Sequence, residues 1–381
     1  MKKAKRLDSV KEYYFSRKLK EVSRMINSGK PVINMGIGSP DIEPNPSVVK
    51  ALSSAMSHPR AHMYQSYQGL PELRKTISSF YKKHYDVNLN PESEVLPLMG
   101  SKEGIMHLSM AFLNSGDEVL IPNPGYPTYS SVAGLMEAKT IFYDLNPSKN
   151  WQPDFEFLDH LDTSKVKIMW LNYPHMPTGT DVSVETFDKL ILWARQRDIL
   201  LINDNPYSFI LTEKPQSILS RPYAKEVAVE LNSLSKSFNM AGWRVGMMIG
   251  NEKVLTQALK VKSNMDSGML FGIQQGAIEA LNMTPDWFYE LNKVYKKRRE
   301  LMKNLIKKLG ARIEKEGVGL FLWARLPKGL NNSEAFIDKI LKEKNIFITP
   351  GTVFGSQGEG YIRFSLCVSE EKIKEAIKRF E

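Results

Sequence analysis

Cysteine is almost absent from this 381-residue sequence, which contains only Cys367. A single cysteine excludes an internal disulfide framework and indicates a reducing compartment. The sequence also lacks an uninterrupted run of about 18 apolar residues, the length needed to cross a membrane. Its basic N-terminus lacks the apolar segment of a signal peptide. We therefore predict a cytoplasmic protein without a membrane partner.

Recognisable metal-ligand spacings are missing as well. None of the six histidines joins Cys, Asp or Glu in such a pattern, so we predict no bound metal. The formal net charge is +10, but the basic residues are dispersed through amphipathic segments such as residues 293–310. A solvated basic surface explains this charge better than a nucleic-acid partner does.

Short apolar segments that alternate with helical periodicity occupy the chain from about residue 94 to residue 250. This pattern is typical of a largely parallel sheet covered by helices on both faces. After about residue 285, a long charged helix leads into a smaller α+β region. We predict an α/β fold with a large domain at residues 41–285. Residues 286–381 form the connecting helix and small domain, and residues 1–40 form an N-terminal arm and part of that domain.

Polar residues gather where the apolar segments end, which is the edge at which open α/β sheets bind ligands. Gly100, Ser101 and Lys102 follow the first segment and open a helix, whose free N–H groups and dipole suit a phosphate. An ordinary N-cap by Ser101 is the alternative. Tyr126 and Tyr129 follow the second segment in a proline-rich loop. One of them could stack on a flat ligand, or both could simply pack.

Two charged residues at the same edge require partners. Asp204 closes the apolar segment ILLIND, where it either caps a turn or holds a proton on a ring nitrogen. Lys236 follows the apolar segment VAVEL, and burying its ammonium costs on the order of several kcal/mol without a partner. A surface lysine is the alternative, but it leaves the spacing from Lys236 to Arg244 unexplained. Pyridoxal 5′-phosphate has the phosphate, flat ring, basic ring nitrogen and carbonyl that these sites require.

The segment SLSKSFNMAGWRVG, residues 233–246, resembles the cofactor-lysine signature S-x-S-K-x(7)-R of the class I and II aminotransferases. These are pyridoxal-phosphate enzymes of fold type I, and further motifs follow in family order over nearly the whole chain. The stretches LMGSKEGI and VKSNMDSGMLFGIQ resemble the branch with LL-diaminopimelate, alanine and some aspartate aminotransferases. The resemblance implies a transaminase of amino-acid biosynthesis that moves an amino group between an amino acid and a 2-oxo acid.

The resemblance also implies which residues hold the cofactor. Lys236 would form the Schiff base. The residues expected to hold the phosphate are Ser233, Arg244, Ser101 and the backbone of Lys102.

Further motif residues would contact the ring and the substrate. Asp204 would pair with the pyridinium nitrogen, Tyr207 would hydrogen-bond the ring's 3′-oxygen, and Tyr126 would stack on the ring. Arg363, in GYIRFSL, would grip the substrate α-carboxylate as a two-point fork, with a backbone contact from Gly38 in GIGSPD. Without the resemblance, Arg363 could equally be a surface residue in a salt bridge.

Two positions bear on assembly and tuning. Tyr64, in MYQSYQG, matches a tyrosine that reaches the phosphate of the partner subunit, which implies a homodimer with shared active sites. From the residues alone, Tyr64 could equally be a core aromatic. Met176, in HMPTG, stands where the family has an asparagine that donates to the ring's 3′-oxygen and lies near the substrate carboxylate. We expect this change to alter the tuning of the ring without altering the cofactor.

Two other functions are compatible with the same residues. A fold-type-I C–S lyase would keep all of them and would differ in its products, pyruvate and ammonia from a cysteine conjugate. A non-catalytic pyridoxal-phosphate-binding regulator usually carries an appended DNA-binding domain, for which we expect no room before GIGSPD. The sequence does not determine the amino donor or acceptor, and no arginine is assignable to a distal substrate carboxylate.

Overall fold

The structure is a computed structural model that describes residues 1–8 and 14–381. The α-helices in this part of the chain are α1 (Tyr14–Asn27), α2 (Pro46–Ala55), α3 (Pro71–Tyr85), α4 (Ser101–Phe112), α5 (Pro127–Leu135), α6 (Phe155–His160), α7 (Val184–Arg197), α8 (Ala224–Val227), α9 (Leu234–Ser237), α10 (Glu252–Lys262), α11 (Phe271–Leu281), α12 (Asp286–Lys308), α13 (Ser333–Lys344) and α14 (Glu370–Lys378). The strands are β1 (Ile33–Asn34), β2 (Val95–Leu98), β3 (Glu118–Asn123), β4 (Lys139–Asp144), β5 (Val166–Leu171), β6 (Leu200–Asp204), β7 (Ala228–Ser233), β8 (Gly246–Gly250), β9 (Phe321–Arg325), β10 (Ile346–Phe347), β11 (Thr349–Pro350) and β12 (Tyr361–Ser365).

The main sheet has seven strands in the order β2-β8-β7-β6-β5-β3-β4. Strand β8 is antiparallel to both of its neighbours, and the remaining pairs are parallel. The predicted α/β fold with a largely parallel sheet is therefore confirmed. Six strands end at the same edge, which gathers the polar residues that follow them.

Helices cover both faces of this sheet, as the continuous apolar segments predict. In β5, Ile168 and Trp170 belong to the core on the side of α4 and α10, whereas Met169 and Leu171 belong to the core on the opposite side. Successive side chains of a strand point to opposite faces. A segment without polar residues is therefore stable only where both faces are covered.

Two smaller sheets lie outside the main sheet. Strands β11, β12 and β9 form an antiparallel sheet in that order, and β1 pairs in parallel with β10. Strand β1 near the N-terminus thus joins a strand near the C-terminus. These pairings support our proposal that residues 1–40 and 286–381 contribute to one domain, and residues 41–285 to the other. In the described residues, no helix has both the length and the apolar character required to span a membrane.

Candidate active site

A cavity of about 350 Å³ lies at the edge where the parallel strands end. Its walls come from the segments that follow β2, β3, β5, β6 and β7, and from β9 and β12. The structure brings together nearly all of the predicted site residues. Those that line the cavity are Gly38, Ser101, Lys102, Tyr126, Asp204, Tyr207, Ser233, Lys236, Arg244 and Arg363.

Lys236 lies in the single turn α9, directly after the buried strand β7, and its side chain points into this cavity. Its Nζ donates a hydrogen bond to the carbonyl oxygen of Gly38 at 2.5 Å. Burial lowers the pKa of Lys236, and the positive charges of Arg363 and Arg244 lower it further. A larger fraction of neutral amine makes this lysine a better nucleophile and base.

Asp204 is buried at the end of β6, and its two carboxylate oxygens differ in their contacts. Oδ2 accepts a hydrogen bond from the hydroxyl of Tyr129 at 2.9 Å, whereas Oδ1 has no hydrogen-bond partner within the described residues. Burial raises the pKa of Asp204 to about 7, against the lowering effect of the Tyr129 hydrogen bond. A buried acceptor without a partner fits a protonated ring nitrogen, because that donor would satisfy it.

The two tyrosines of the loop after β3 have different positions, which the sequence left open. Tyr126 lines the cavity immediately before α5. Tyr129 is buried one helical turn later and stacks on Trp170, with 4.7 Å between the ring centroids. Of the two alternatives for Tyr129, the structure shows packing. The sequence did not predict its hydrogen bond to Asp204, because that residue lies on another strand.

Tyr207 and Asn172 stand beside Asp204 in the cavity wall. Burial raises the pKa of Tyr207, so its phenol keeps its proton and can donate it in a hydrogen bond. The side-chain amide of Asn172 donates to the backbone oxygen of Asp204 at 2.6 Å and accepts from the backbone N–H of Met176 at 3.0 Å. Asn172 thus fixes the segment that carries Met176.

One end of the cavity has the features of an anion site. Helix α4 begins at Ser101 with Gly100 as its N-cap, and no side chain of the described residues caps it. The predicted alternative, an N-cap by Ser101, is therefore wrong. Gly100 has a φ of 87°, and a Cβ there would lie 2.1 Å from Nη2 of Arg244. Only glycine lets the arginine approach the start of the helix this closely.

Hydroxyl groups complete this anion site. The Ser233 hydroxyl donates to that of Ser235 at 2.9 Å, and Nη1 of Arg244 lies 3.4 Å from the same Ser235 oxygen. Ser235, the second serine of the lysine signature, also lines the cavity. A cation, two hydroxyls and a helix N-terminus together suit a phosphate.

Arg363 is 4% exposed in β12, which contradicts the alternative of a surface residue in a salt bridge. Its guanidinium lies between two aromatic rings, 4.0 Å from the centroid of Phe321 and 4.6 Å from that of Phe354. Nη2 donates to the Gly36 carbonyl at 2.7 Å, and Nη1 lies 3.2 Å from Sδ of Met176. These contacts fix the plane of a cation in the cavity wall.

Gly38 and Tyr64 occupy contrasting places. A Cβ on Gly38 would lie 2.3 Å from Cζ of Phe321, so this approach of backbone to ring requires glycine. Tyr64 is 91% exposed and lies outside the cavity of its own chain. The alternative of a core aromatic at Tyr64 is therefore wrong.

Comparisons with known proteins agree with this geometry. The family model for aminotransferase class I and II matches residues 30–380. An LL-diaminopimelate aminotransferase of Aquifex aeolicus is 39% identical over 99% of this chain and 97% of its own length. Another from Dehalococcoides mccartyi is 38% identical over 100% of this chain and 98% of its own length.

Solved structures give the same result. The apo structure of BacF from Bacillus subtilis is 35% identical, with a TM-score of 0.95, and the match covers 100% of this chain and 97% of that one. An aspartate aminotransferase from Thermotoga maritima is 27% identical, with a TM-score of 0.91 and coverage of 99% and 98%. The predicted family, fold type and cofactor are thereby confirmed, and neither the C–S lyase nor the regulator is favoured. The chain belongs to the class I and II aminotransferases, enzymes that use pyridoxal phosphate to move an amino group between an amino acid and a 2-oxo acid.

Proposed function

We propose that this transaminase acts on an amino donor with a second, distal carboxylate, and that LL-diaminopimelate is the best candidate. The observation that carries the proposal is a fourth basic residue in the cavity wall, Lys102. The other three basic residues already have ligands in this proposal: Lys236 binds the cofactor carbonyl, Arg244 the phosphate and Arg363 the α-carboxylate. Lys102 is exposed in the first turn of α4 and lines the cavity. In this proposal, its side chain binds the distal carboxylate. The names of the two curated relatives support the same donor.

In this proposal, Lys236 has two roles. Its amine would hold the carbonyl carbon of the cofactor, and the same amine, when free, would be the base that takes the substrate's Cα proton. The pKa of Lys236 is lowered by burial and by two neighbouring arginines, which keeps a larger share of the amine unprotonated. When bound, pyridoxal phosphate supplies a carbonyl that reacts with amines and a ring that withdraws electrons from the bond being broken.

The other residues bind and orient. Asp204 would hold the proton on the ring nitrogen through Oδ1, while the Tyr129 hydroxyl fixes the opposite oxygen. Tyr207 would donate to the ring's 3′-oxygen, and Tyr126 would stack on the ring. The phosphate is held by Ser101, Ser233, Arg244 and the backbone of Lys102, to which the position of Ser235 adds a further hydroxyl.

The substrate's α-carboxylate is bound by Arg363, with a backbone contact from Gly38. The support for this role is the fixed orientation of the buried guanidinium between Phe321 and Phe354. A planar cation that is held in this way can present two N–H groups to one carboxylate.

We further propose a homodimer in which Tyr64 of each subunit reaches the phosphate of the other. Tyr64 is one of several exposed apolar side chains in residues 63–67 and 265–270, two segments that meet where Gly268 packs against Gln65. A contiguous apolar surface of this kind is typical of an interface. The members are Met63, Tyr64, Tyr67, Met265 and Leu270. A second copy of the chain would cover them and would complete the phosphate site.

We also propose a cytoplasmic location. Support comes from Cys367, the one cysteine of the sequence, which is a buried free thiol. A free thiol of this kind is common in reducing compartments.

The donor is tested by a panel of LL-diaminopimelate, aspartate and alanine, each with 2-oxoglutarate and with pyruvate. We expect the highest kcat/KM with LL-diaminopimelate. Lys102→Met should lower that value by about tenfold, which is one charge-assisted hydrogen bond, and should leave the value for alanine unchanged. Lys102→Arg is the matched control that keeps the charge.

An equal loss of kcat/KM for LL-diaminopimelate and alanine would contradict a contact to the distal carboxylate. If the main products were pyruvate and ammonia from a cysteine conjugate, transamination itself would be contradicted.

A further inference from the structure

Directly behind the anion site lies a cluster of four ionisable side chains from α4, α10 and the loop that follows α10. Lys262, the last residue of α10, is 2% exposed. Its Nζ lies 2.5 Å from Oδ2 of Asp266 and 3.4 Å from Oε1 of Glu103. Nε2 of His107 lies 2.9 Å from the same Glu103 oxygen. The motifs LMGSKEGI and VKSNMDSGMLFGIQ therefore meet at this cluster.

The cluster already contains its cation. Ligand atoms of Glu103, His107 and Asp266 lie within 4.8 Å of one another, as in a metal site, but the Lys262 ammonium lies between the two carboxylates. Within the described residues, Nδ1 of His107 has no hydrogen-bond partner. Its Nε2 faces the Glu103 carboxylate and can donate a hydrogen bond to it. Two partly buried carboxylates therefore share the buried ammonium of Lys262.

Glu103 connects this ammonium to the start of α4. Its Oε2 accepts a hydrogen bond from the backbone N–H of Met99 at 2.5 Å, just before Gly100 and Ser101. Burial alone would raise the pKa of Glu103, but the His107 hydrogen bond, the charge of Lys262 and the Met99 N–H lower it to about 2. The carboxylate is therefore ionised at neutral pH, and it fixes the turn that presents the helix N-terminus to the cavity.

Asp266 connects the same ammonium to the surface. Its Oδ1 accepts from the N–H of Gly268 at 2.8 Å. Gly268 packs against the segment beside Tyr64, since a Cβ there would lie 2.4 Å from the carbonyl oxygen of Gln65. One ammonium thus ties the start of α4 to the loop that supports Tyr64.

We propose that Lys262 is a positioning residue for the cofactor phosphate, which it influences through Glu103 on one side and Asp266 on the other. The inference rests on the proposed function, in which the start of α4 and Tyr64 both contact a phosphate. Removing the ammonium leaves two partly buried carboxylates without the cation that both of them contact, which is unfavourable. The turn at Met99 and the loop at Gly268 then shift, and the groups that meet the phosphate lose their alignment. Contacts to the ring, which come from other strands, stay in place.

The test compares two ligands that differ only in the phosphate. Apoprotein is titrated with pyridoxal phosphate and with pyridoxal, and the absorbance of the Lys236-linked chromophore is followed. Lys262→Met should weaken the binding of pyridoxal phosphate by about tenfold or more and leave that of pyridoxal within about twofold. Lys262→Arg, which keeps the charge, should recover most of the loss. Lys260→Met is the matched control, because Lys260 is exposed in the same helix turn and contacts Gln257.

A Lys262→Met protein that keeps the parent's ratio of the two affinities overturns the proposal, whether both affinities fall together or neither changes. If this variant does not fold by circular dichroism, Asp266→Asn is used, which keeps the pair of Lys262 with Glu103. Asp266→Asn should also weaken the binding of pyridoxal phosphate more than that of pyridoxal, but by a smaller factor. An equal loss of affinity for both ligands again overturns the inference. A parent protein that binds both ligands equally would instead contradict the proposed phosphate site itself.

Discussion

At the scale of single residues, Asp204 has the most distinctive electrostatic environment. One carboxylate oxygen accepts from Tyr129, and the other has no partner among the described residues. A buried carboxyl group with a raised pKa destabilises the folded apoprotein once it ionises. The contribution of Asp204 to the stability of the apoprotein therefore depends on pH. In the complete enzyme, it also depends on the protonated ring nitrogen of the cofactor.

The pH dependence of apoprotein stability follows from this environment. The pKa of Asp204 is raised from an ordinary value near 3.8 to about 7. Between these values the folded state binds more protons than the unfolded state, so stability falls as pH rises through about 4 to 7. Urea unfolding of apoprotein at several pH values should show this loss, and Asp204→Asn should flatten it. A variant with the parent's full pH slope would mean that another group, such as Glu230 with its raised pKa, is responsible.

Met176 is the second residue whose environment has a measurable consequence. Its Sδ lies 3.2 Å from Nη1 of Arg363, and the neighbouring amide of Asn172 already donates to the backbone of Asp204. An asparagine at position 176 would add a donor to the ring's 3′-oxygen. Because hydrogen bonds to an ionised oxygen stabilise it, Met176→Asn should lower the pKa of the Lys236-linked chromophore by roughly one to two pKa units.

The measurement is a spectrophotometric pH titration of the cofactor-loaded protein. Met176→Leu is the matched control, since it keeps the size of the side chain and adds no donor, and its chromophore should titrate as in the parent. An equal or higher pKa in Met176→Asn would show that another donor already serves the 3′-oxygen.

At the scale of secondary-structure elements, the start of α5 determines what each tyrosine of its loop can reach. Tyr126 stands before the helix and Tyr129 in its first turn, so their rings lie at a centroid distance of 5.5 Å and nearly perpendicular. One ring faces the cavity and the other lies against Trp170 beneath it. Because of the helix geometry, and because α5 packs on the sheet, Tyr126 can stack on the cofactor ring, whereas Tyr129 can only position Asp204.

This separation predicts the effect of Tyr129→Phe. The substitution keeps the stacking on Trp170 but removes the hydrogen bond to Asp204. Asp204 then loses a donor that lowers its pKa, and it holds the ring nitrogen less well. We expect kcat/KM to fall by about tenfold, the value of one hydrogen bond to a charged group, and the acid limb of its pH profile to move to higher pH. An unchanged profile would remove Tyr129 from the site, since a loss of packing alone would not shift it.

At the scale of the whole molecule, the exposed Tyr64 predicts that two copies of the chain share their active sites. In the proposed dimer, each site takes Lys236 from one subunit and Tyr64 from the other. Lys236→Ala and Tyr64→Ala are each expected to have low activity alone. A heterodimer of the two variants has one site with both residues intact, so an equimolar mixture should recover about a quarter of the parent activity.

Subunits are mixed under mildly denaturing conditions, refolded with the cofactor and assayed, with each variant refolded alone as the control. Activity of the mixture equal to the average of the two variants would contradict shared sites. A protein that sediments as a monomer when loaded with cofactor would contradict the dimer itself.

The sequence alone determined the strands and helices of the main sheet and the edge of that sheet at which the active site lies. Continuous apolar segments predict a covered parallel sheet because both faces of each strand must be buried. Lys236, Ser233 and Arg244 are close neighbours in one segment, so their spacing remains visible without a structure. The positions of Asp204 and Ser101 follow in the same way, since Asp204 is the last residue of β6 and Ser101 begins the helix that follows β2.

The tertiary structure decided everything that depends on contacts between distant parts of the chain. The partner of Asp204 is 75 residues away in Tyr129, the acceptor beside Arg363 is 187 residues away in Met176, and Lys262 meets Glu103 across 159 residues. Local periodicity contains no information on such pairs, because they arise only when strands and helices pack in one order. The sequence therefore determined which residues reach the active-site edge, whereas the packing decided which of them contact one another.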